Sequence, residues 1–370
     1  MNIIIVRGRA IDPAVHKVCT SLSKNGYNVR LLLWDRQNTY PYSKNNEYIV
    51  DKCLIKSPYD EFTSIFYYPF WIFYQFIYLI KNNTDIIHAN DLDTLIPAIL
   101  IKLIKIKKLC YTIYDFYADN LPAKTPNIFR NLISIIEKIG ISQTDALFLV
   151  SEERYKQIEG SKIKILNYIY NTPEDTYTQN NNLSQNTKEN AEFSIFYAGT
   201  LIEDRGILNL IKTIEEIDNI KLIIAGIGPL TNYLKNISVS QKGKMQYLSW
   251  LSYNEVIGYT RNADLLFAFY DPKIPNNRYA SPNKLFEAMM CRKPILVNDG
   301  TTMADIVRKE NCGLVVPYGD VEAIKHAILT LKDNPELCTQ LGKNGRSAYE
   351  EKYSWKIMEK RLLTAYSQFA

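Results

Sequence analysis

The chain has 370 residues, 46% hydrophobic and 22% charged, which suits two ordinary domains and excludes a single small module, global disorder, collagen and coiled coil. Its 44 basic and 39 acidic side chains leave a net charge of +5, spread along the chain and too weak to argue for nucleic acid as a partner. The six cysteines are widely scattered, without a CxxC pair, so they read as small core residues of a reducing compartment rather than a zinc or disulfide framework.

Met1 leads at once into the apolar run 3–6, with no cationic leader or small-residue cleavage site, so no secretory signal is expected. Asp12-Pro13 is a helix start, a good N-cap before a proline at the first helical position. Apolar stretches of strand length at 3–6, 29–34, 85–88, 108–112 and 146–150 alternate with helical patterns, one of them expected to begin near Pro97. That rhythm predicts α/β with parallel sheets.

Residues 62–80 (FTSIFYYPFWIFYQFIYLI) carry no charge and are nearly long enough to span a bilayer. Pro69 interrupts them and the aromatic rings are scattered throughout, so a helix packed on the sheet, or a patch resting on lipid headgroups, is the better reading. In the following helix, 95–108, Lys102, Lys105, Lys107 and Lys108 alternate with isoleucine and leucine. That composition suits either a solvated face or an anionic membrane surface.

Residues 171–192 are rich in Asn, Gln and Thr and offer little to bury, which marks a linker. Domain one is therefore 1–170 and domain two 193–352, where strands at 193–197, 221–225, 265–269, 294–297 and 313–316 restart the rhythm; a terminal helix occupies 353–370. Two Rossmann-like halves facing one another, with the ligand between them at the carboxyl ends of the strands, is the simplest architecture.

The chemistry concentrates in the second half. In SPNKLFEAMM (281–290), Ser281 reads as an N-cap with Pro282 at the first helical position, leaving the amides near Asn283 and Lys284 free for an anion. Lys284 adds a full charge where the helix dipole already favours a diphosphate. Glu287 lies among Leu285, Phe286, Ala288 and Met289, and pairs with Lys284 in the structural reading. Upstream, Gly199 and Thr200 form a loop that leads to Arg205, a cation able to neutralise a departing diphosphate or to pair with Glu203 or Asp204. The turn Gly226-Ile227-Gly228-Pro229 lets a ligand approach the backbone.

Arg205-Gly206 after the Gly199 loop, the Gly226–Pro229 turn and SPNKLFEAMM occur in the order found in the family-4 group of retaining glycosyltransferases with the GT-B fold. The chain resembles that group over nearly its whole length. The amino half agrees through Asp12-Pro13, the 24–29 turn, the 85–95 stretch and Tyr114-Asp115. The resemblance implies that Lys284 and Arg205 hold the donor pyrophosphate and that Glu287 accepts from the ribose hydroxyls. It further implies phosphate contacts at Ser281, Pro282 and Asn283, base contacts near Leu251, and a terminal helix crossing back to the first domain. Arg7, Gly8, Arg9, His88, Asp91, Asp115 and Tyr117 fall on the acceptor side. Three positions depart from the group's pattern: Tyr279 stands in place of a second glutamate, Thr200 in place of an arginine, and Phe116-Tyr117 in place of a histidine.

The expected activity is transfer of a hexose from a nucleotide diphosphate sugar to an acceptor hydroxyl with retention, without cofactor or metal. The expected acceptor is a lipid-linked saccharide or glycan of bacterial surface polysaccharide synthesis. The expected location is the cytoplasm, with a peripheral seat on the inner membrane face through 62–80 and 95–108. Alternatives are a GT-B sugar-nucleotide 2-epimerase, which would need acid/base groups around the sugar, and a non-catalytic glycan-binding protein. Asp91-Leu92-Asp93 has the form of a metal-binding Asp-x-Asp, although aspartates before a helix commonly look this way. A nicotinamide oxidoreductase lacks its G-x-G-x-x-G after the first strand.

Overall fold

The computed structural model describes residues 1–10, 12–38, 47–58, 62–121, 125–176, 192–240 and 243–369. Most of the expected linker lies outside them. The chain divides into two compact units, one made of residues 1–170 with 358–370, the other of 171–357.

In the first unit, β1 (Asn2–Arg7), α1 (Pro13–Lys24), β2 (Asn28–Trp34), β3 (Ile49–Cys53), α2 (Tyr68–Lys81), β4 (Ile86–Asn90), α3 (Leu92–Lys105), β5 (Lys108–Ile113), α4 (Tyr117–Asn120), α5 (Asn127–Ser142), β6 (Ala146–Leu149) and β7 (Leu166–Tyr168) follow in order. The seven strands are parallel, ordered β3-β2-β1-β4-β5-β6-β7. Asp12 caps α1, accepting from the amides of Ala14 and Val15 at 3.1 and 3.4 Å.

One sheet face, with Ile4, Val6, Leu32, Ile87, Leu109 and Tyr111, is covered by Trp71 and Leu79 of α2, Leu95, Ala98 and Ile101 of α3, and Ile141 of α5. The helix expected near Pro97 begins five residues earlier and takes the proline into its interior. Pro97 has no N–H for the carbonyl of Asp93. The buried side chain of Gln75 donates to that carbonyl instead, at 3.1 Å, so the freed acceptor stays satisfied.

In the second unit, β8 (Phe193–Ala198), α6 (Ile207–Glu215), β9 (Ile220–Ala225), α7 (Thr231–Ser240), β10 (Met245–Leu248), α8 (Tyr253–Asn262), β11 (Leu265–Ala268), α9 (Pro275–Arg278), α10 (Asn283–Met290), β12 (Ile295–Asn298), α11 (Thr302–Glu310), β13 (Gly313–Val316), α12 (Val321–Lys332) and α13 (Pro335–Ala348) form a six-stranded parallel sheet, ordered β10-β9-β8-β11-β12-β13. Arg346 of α13 donates to Asp175 at 2.6 and 3.1 Å and to the Met290 carbonyl, pinning the stretch before the undescribed segment onto this unit.

The last helix, α14 (Trp355–Ser367), carries its final turns onto the first unit. There Arg361 donates to the Tyr168 carbonyl, and the Tyr366 ring lies against Tyr27, His88 and Phe148.

Among the described residues no helix is long and apolar enough to cross a membrane. Residues 62–80 form a short 3-10 turn followed by α2, which buries Trp71, Gln75 and Leu79 and leaves Phe70 and Phe73 exposed. The solvent side of α3 is apolar, with Ile96, Leu100, Leu103 and Ile104 exposed. Its lysines fold back instead: Lys102 reaches Asp145 at 2.6 Å, and Lys105 the carbonyls of Leu79 and Ile80.

Candidate functional site

In both sheets the strand order reverses beside the first strand, β1 against β4 and β8 against β11. Such a reversal opens a crevice at the carboxyl ends of the strands, where open α/β sheets take their ligands.

In the second unit the chain leaves β8 through Gly199, turns through Glu203–Arg205 and enters α6 at Gly206. The loop is locked to its neighbour: the Gly199 amide donates to Ala225, Leu201 to Ile227, and Leu230 to Leu201. A β-carbon on Gly226 would meet the Gly199 carbonyl at 1.9 Å, so the two glycine turns are in backbone contact. Leu251 lies half-buried ahead of α8.

Lys284 projects from α10 into this crevice. Its ammonium lies 4.2 Å from the centre of the Tyr197 ring and 5.7 Å from that of Tyr270. The charges of Glu287 and Asp204 act on it in favour of its charged form. Burial, reinforced by the charge of Arg205, pushes Lys284 down to about 7. Arg205 lies 3.9 Å from the Tyr270 ring centre, pairs with Asp204 at 3.0 Å and donates to Asn277 at 3.1 Å. Asn277 in turn donates to Asp204 at 3.0 Å, which fixes the guanidinium.

The helix start is displaced by one residue from its expected place. Pro282 is the N-cap, Asn283 is the first helical residue, and no side chain caps the turn. Ser281 Oγ and Asn283 Oδ1 are buried there without a hydrogen-bond partner among the described residues. Two orphaned polar atoms beside uncapped amides and a desolvated ammonium make a place for a polar anionic ligand. Glu287 is buried on the same helix. Tyr279 ends α9 and Thr200 is exposed on the loop, its carbonyl accepting from the Tyr197 hydroxyl at 2.8 Å.

At the reversal of the first sheet, buried Arg7 pairs with Asp12 at 2.7 Å and with Asp91, and lies over the Tyr114 ring. Asp91 also accepts from the Tyr114 amide at 2.9 Å, so its side chain does not cap α3. Asp93 accepts from the Trp71 indole at 3.0 Å, and burial together with the charge of Asp91 pushes it up to about 6. Both carboxylates of the Asp-x-Asp are thus engaged by protein donors. Among the described residues no cluster of three metal-ligating side chains occurs.

A cavity of about 310 Å³ opens here, lined by Arg7, Gly8, Arg9, Asp91, Asp115 and Tyr117 together with Arg36, Ser64, Tyr68 and Asp93. Asp115 is held by Arg154 at 3.1 Å. His88 is not at this site. It is buried, its ring nitrogens paired with the Tyr366 and Thr112 hydroxyls, and burial pushes it down to about 3. Odd and even positions of a strand point to opposite faces, and His88 falls on the face covered by α14.

Sequence reasoning missed Tyr197, Tyr270 and Asn277 in the second unit and Arg36 and Tyr68 in the first. The signal available was position: Arg36 and Tyr270 each lie two residues beyond a strand's carboxyl end.

Two doubly wound parallel units with a cationic crevice at the second switch point define a fold of the GT-B type. Sucrose-phosphate synthase from Thermosynechococcus elongatus matches all of the chain and 98% of its own at TM-score 0.79 and 17% identity, and Anabaena HepE in complex with UDP matches all of both chains at 0.75 and 12%. Residues 178–348, a little under half of the chain, match the family model for glycosyl transferases group 1. The capsular polysaccharide biosynthesis glycosyltransferase CapM of Staphylococcus aureus is 27% identical over 187 residues, 49% of this chain and 47% of that protein. The chain thus spans about half the length of the curated relatives it matches. The chain resembles the family-4 glycosyltransferases.

Proposed function

We propose that the chain is a glycosyltransferase that moves a hexose from a nucleotide diphosphate sugar to an acceptor hydroxyl with retention, using no metal ion. The observation that carries this reading is Lys284, a buried ammonium 4.2 and 5.7 Å from the Tyr197 and Tyr270 ring centres at the uncapped start of α10, where burial disfavours its charge. A bound anion favours the charged form that burial disfavours.

When the bond from the anomeric carbon to the β-phosphate oxygen breaks, negative charge grows on the leaving diphosphate. Lys284, Arg205 and the α10 amides stabilise it, and no side-chain nucleophile is required. Asp204 and Asn277 hold Arg205 in place. Glu287 receives the ribose hydroxyls, while Gly199, Gly226 and Gly228 admit the donor to the backbone. The cavity at Arg7, Arg9, Asp91, Asp115 and Tyr117 takes the acceptor.

The pathway is surface polysaccharide synthesis, with a lipid-linked saccharide as acceptor, on the inner membrane face. The exposed aromatic residues of 62–80 and the apolar side of 95–108 support this.

The test is a panel of sugar nucleotides screened by thermal stabilisation, where a ligand at 100 times its Kd adds about 2.7 kcal/mol. The active donor is then assayed with Lys284→Ala and Arg205→Ala. Each variant is expected to keep its melting profile and lose about a hundredfold in transfer, while the parent stays active with a chelator. Normal turnover by either variant removes the clamp.

A further inference from the structure

We infer that the outward faces of α2, α3 and α5 form one docking face for an anionic lipid bilayer, with α5 as its principal element. The inference deepens the membrane part of the reading above and is separable from the donor chemistry at Lys284.

The decisive feature is that α5 is amphipathic in the wrong sense for a sheet-covering helix. Ile128, Phe129, Leu132, Ile135, Ile136 and Ile139 are all exposed. At roughly 100° per residue they fall within an arc of about 120°. The opposite side buries Glu137, Gly140 and Ile141. The carboxylate faces inward and the large apolar side chains face out.

The face is continuous across the three helices. Leu95 of α3 fits against α5 where a β-carbon on Gly140 would lie 2.7 Å from it. Gln75 of α2 is bonded to the α3 backbone. Single exposed apolar residues need no explanation, but a contiguous surface of this extent marks an interaction site.

Charge identifies the occupant. On these three helices the carboxylates are Asp93 and Glu137, and neither lies on the outward face: Glu137 is buried, and Asp93 is bonded to Trp71. The cations Lys81, Lys105 and Lys138 remain at least partly exposed at the margins, while Lys102 is paired with Asp145. An apolar surface rimmed by lysine and free of outward carboxylate fits acyl chains under anionic headgroups. A second copy docked on the same face would bring its lysines against these. The face also adjoins the first-unit cavity, since its lining residues Ser64 and Tyr68 flank exposed Ile65 and Phe66.

The test is flotation of the full chain with phosphatidylcholine vesicles with and without phosphatidylglycerol. The parent should float with the anionic vesicles at low salt and less at high salt. The double variant Leu132→Glu, Ile136→Glu should lose about tenfold or more of that binding, while keeping its melting temperature and its stabilisation by the donor nucleotide. Absence of binding by the parent, or undiminished binding by the variant, overturns the inference. So does a parent dimer in light scattering that the variant abolishes without any vesicle binding. Vesicle binding without nucleotide stabilisation leaves the inference standing and removes the donor reading alone.

Discussion

The ammonium of Lys284 occupies the space that a side chain on Gly199 would need: a β-carbon built there would stand 2.7 Å from Nζ and 2.9 Å from Cε. The backbone at Gly199, with φ of +154°, is also one that other residues rarely adopt. Gly199→Ala should therefore displace the flexible lysine tip rather than disrupt the sheet. The expected result is at least about tenfold weaker nucleoside diphosphate binding, about 1.4 kcal/mol, with a melting temperature lowered by only a few degrees. Calorimetric titration at parental affinity would show that Nζ does not hold the ligand.

The titration of Lys284 gives nucleotide binding a pH dependence. Its folded value of about 7 lies below that of the unfolded chain. Between the two the unfolded state binds more protons, so the stability of the ligand-free protein rises with pH from 7 upward, and below 7 the cost of the buried charge is fully present. A bound diphosphate restores the proton, so binding should take up protons and weaken as pH rises above 7. Calorimetry in HEPES and in Tris should give different apparent enthalpies for the parent and equal ones for Lys284→Met.

Glu137 predicts the opposite slope. It accepts from the Tyr111 hydroxyl at 2.8 Å and from the Tyr117 amide at 3.0 Å, and burial pushes it up to about 8. From the ordinary carboxylate range to about 8 the folded state binds more protons, so stability falls as pH rises, by at most about 1.4 kcal/mol per pH unit. Glu137→Gln carries no titrating proton, so its melting temperature should fall less between pH 5 and 8 (roughly the window in question). Parallel curves for parent and variant would count against a protonated Glu137.

Gln75 and Pro97 should be coupled. Gln75→Leu leaves the Asp93 carbonyl buried without a donor, at a cost of about 1–3 kcal/mol. In a Pro97→Ala background the helix supplies that donor itself, so the same change should cost less. A urea-denaturation double-mutant cycle measures the difference. Strict additivity would mean that the 3.1 Å contact satisfies nothing.

The alternation of strand and helix was legible throughout, because strands buried on both faces are short apolar runs whatever their neighbours. The cap at Asp12-Pro13 was equally local. The helix at Pro97 was misplaced because the residue that tolerates the proline, Gln75, comes from another helix. His88 looked like a site residue because a motif does not state on which face of a strand a residue falls. The outward apolar arc of α5 was missed because periodicity shows that a helix has an apolar side and not where that side points.

Lys284, Arg205 and the glycine turns were readable as chemistry because a helix start after proline and a cation beside glycine are local patterns. Sequence alone therefore determined the class of fold and the residue pattern on which the proposed donor site rests. Tertiary structure decided that Lys284 is buried beside Tyr197 and that Arg205 is fixed by Asp204 and Asn277. It also decided that Asp91 and Asp93 are taken by Arg7 and Trp71. Propensity and capping act over a few residues of chain, whereas desolvation and charge pairing depend on groups that folding brings together from distant positions.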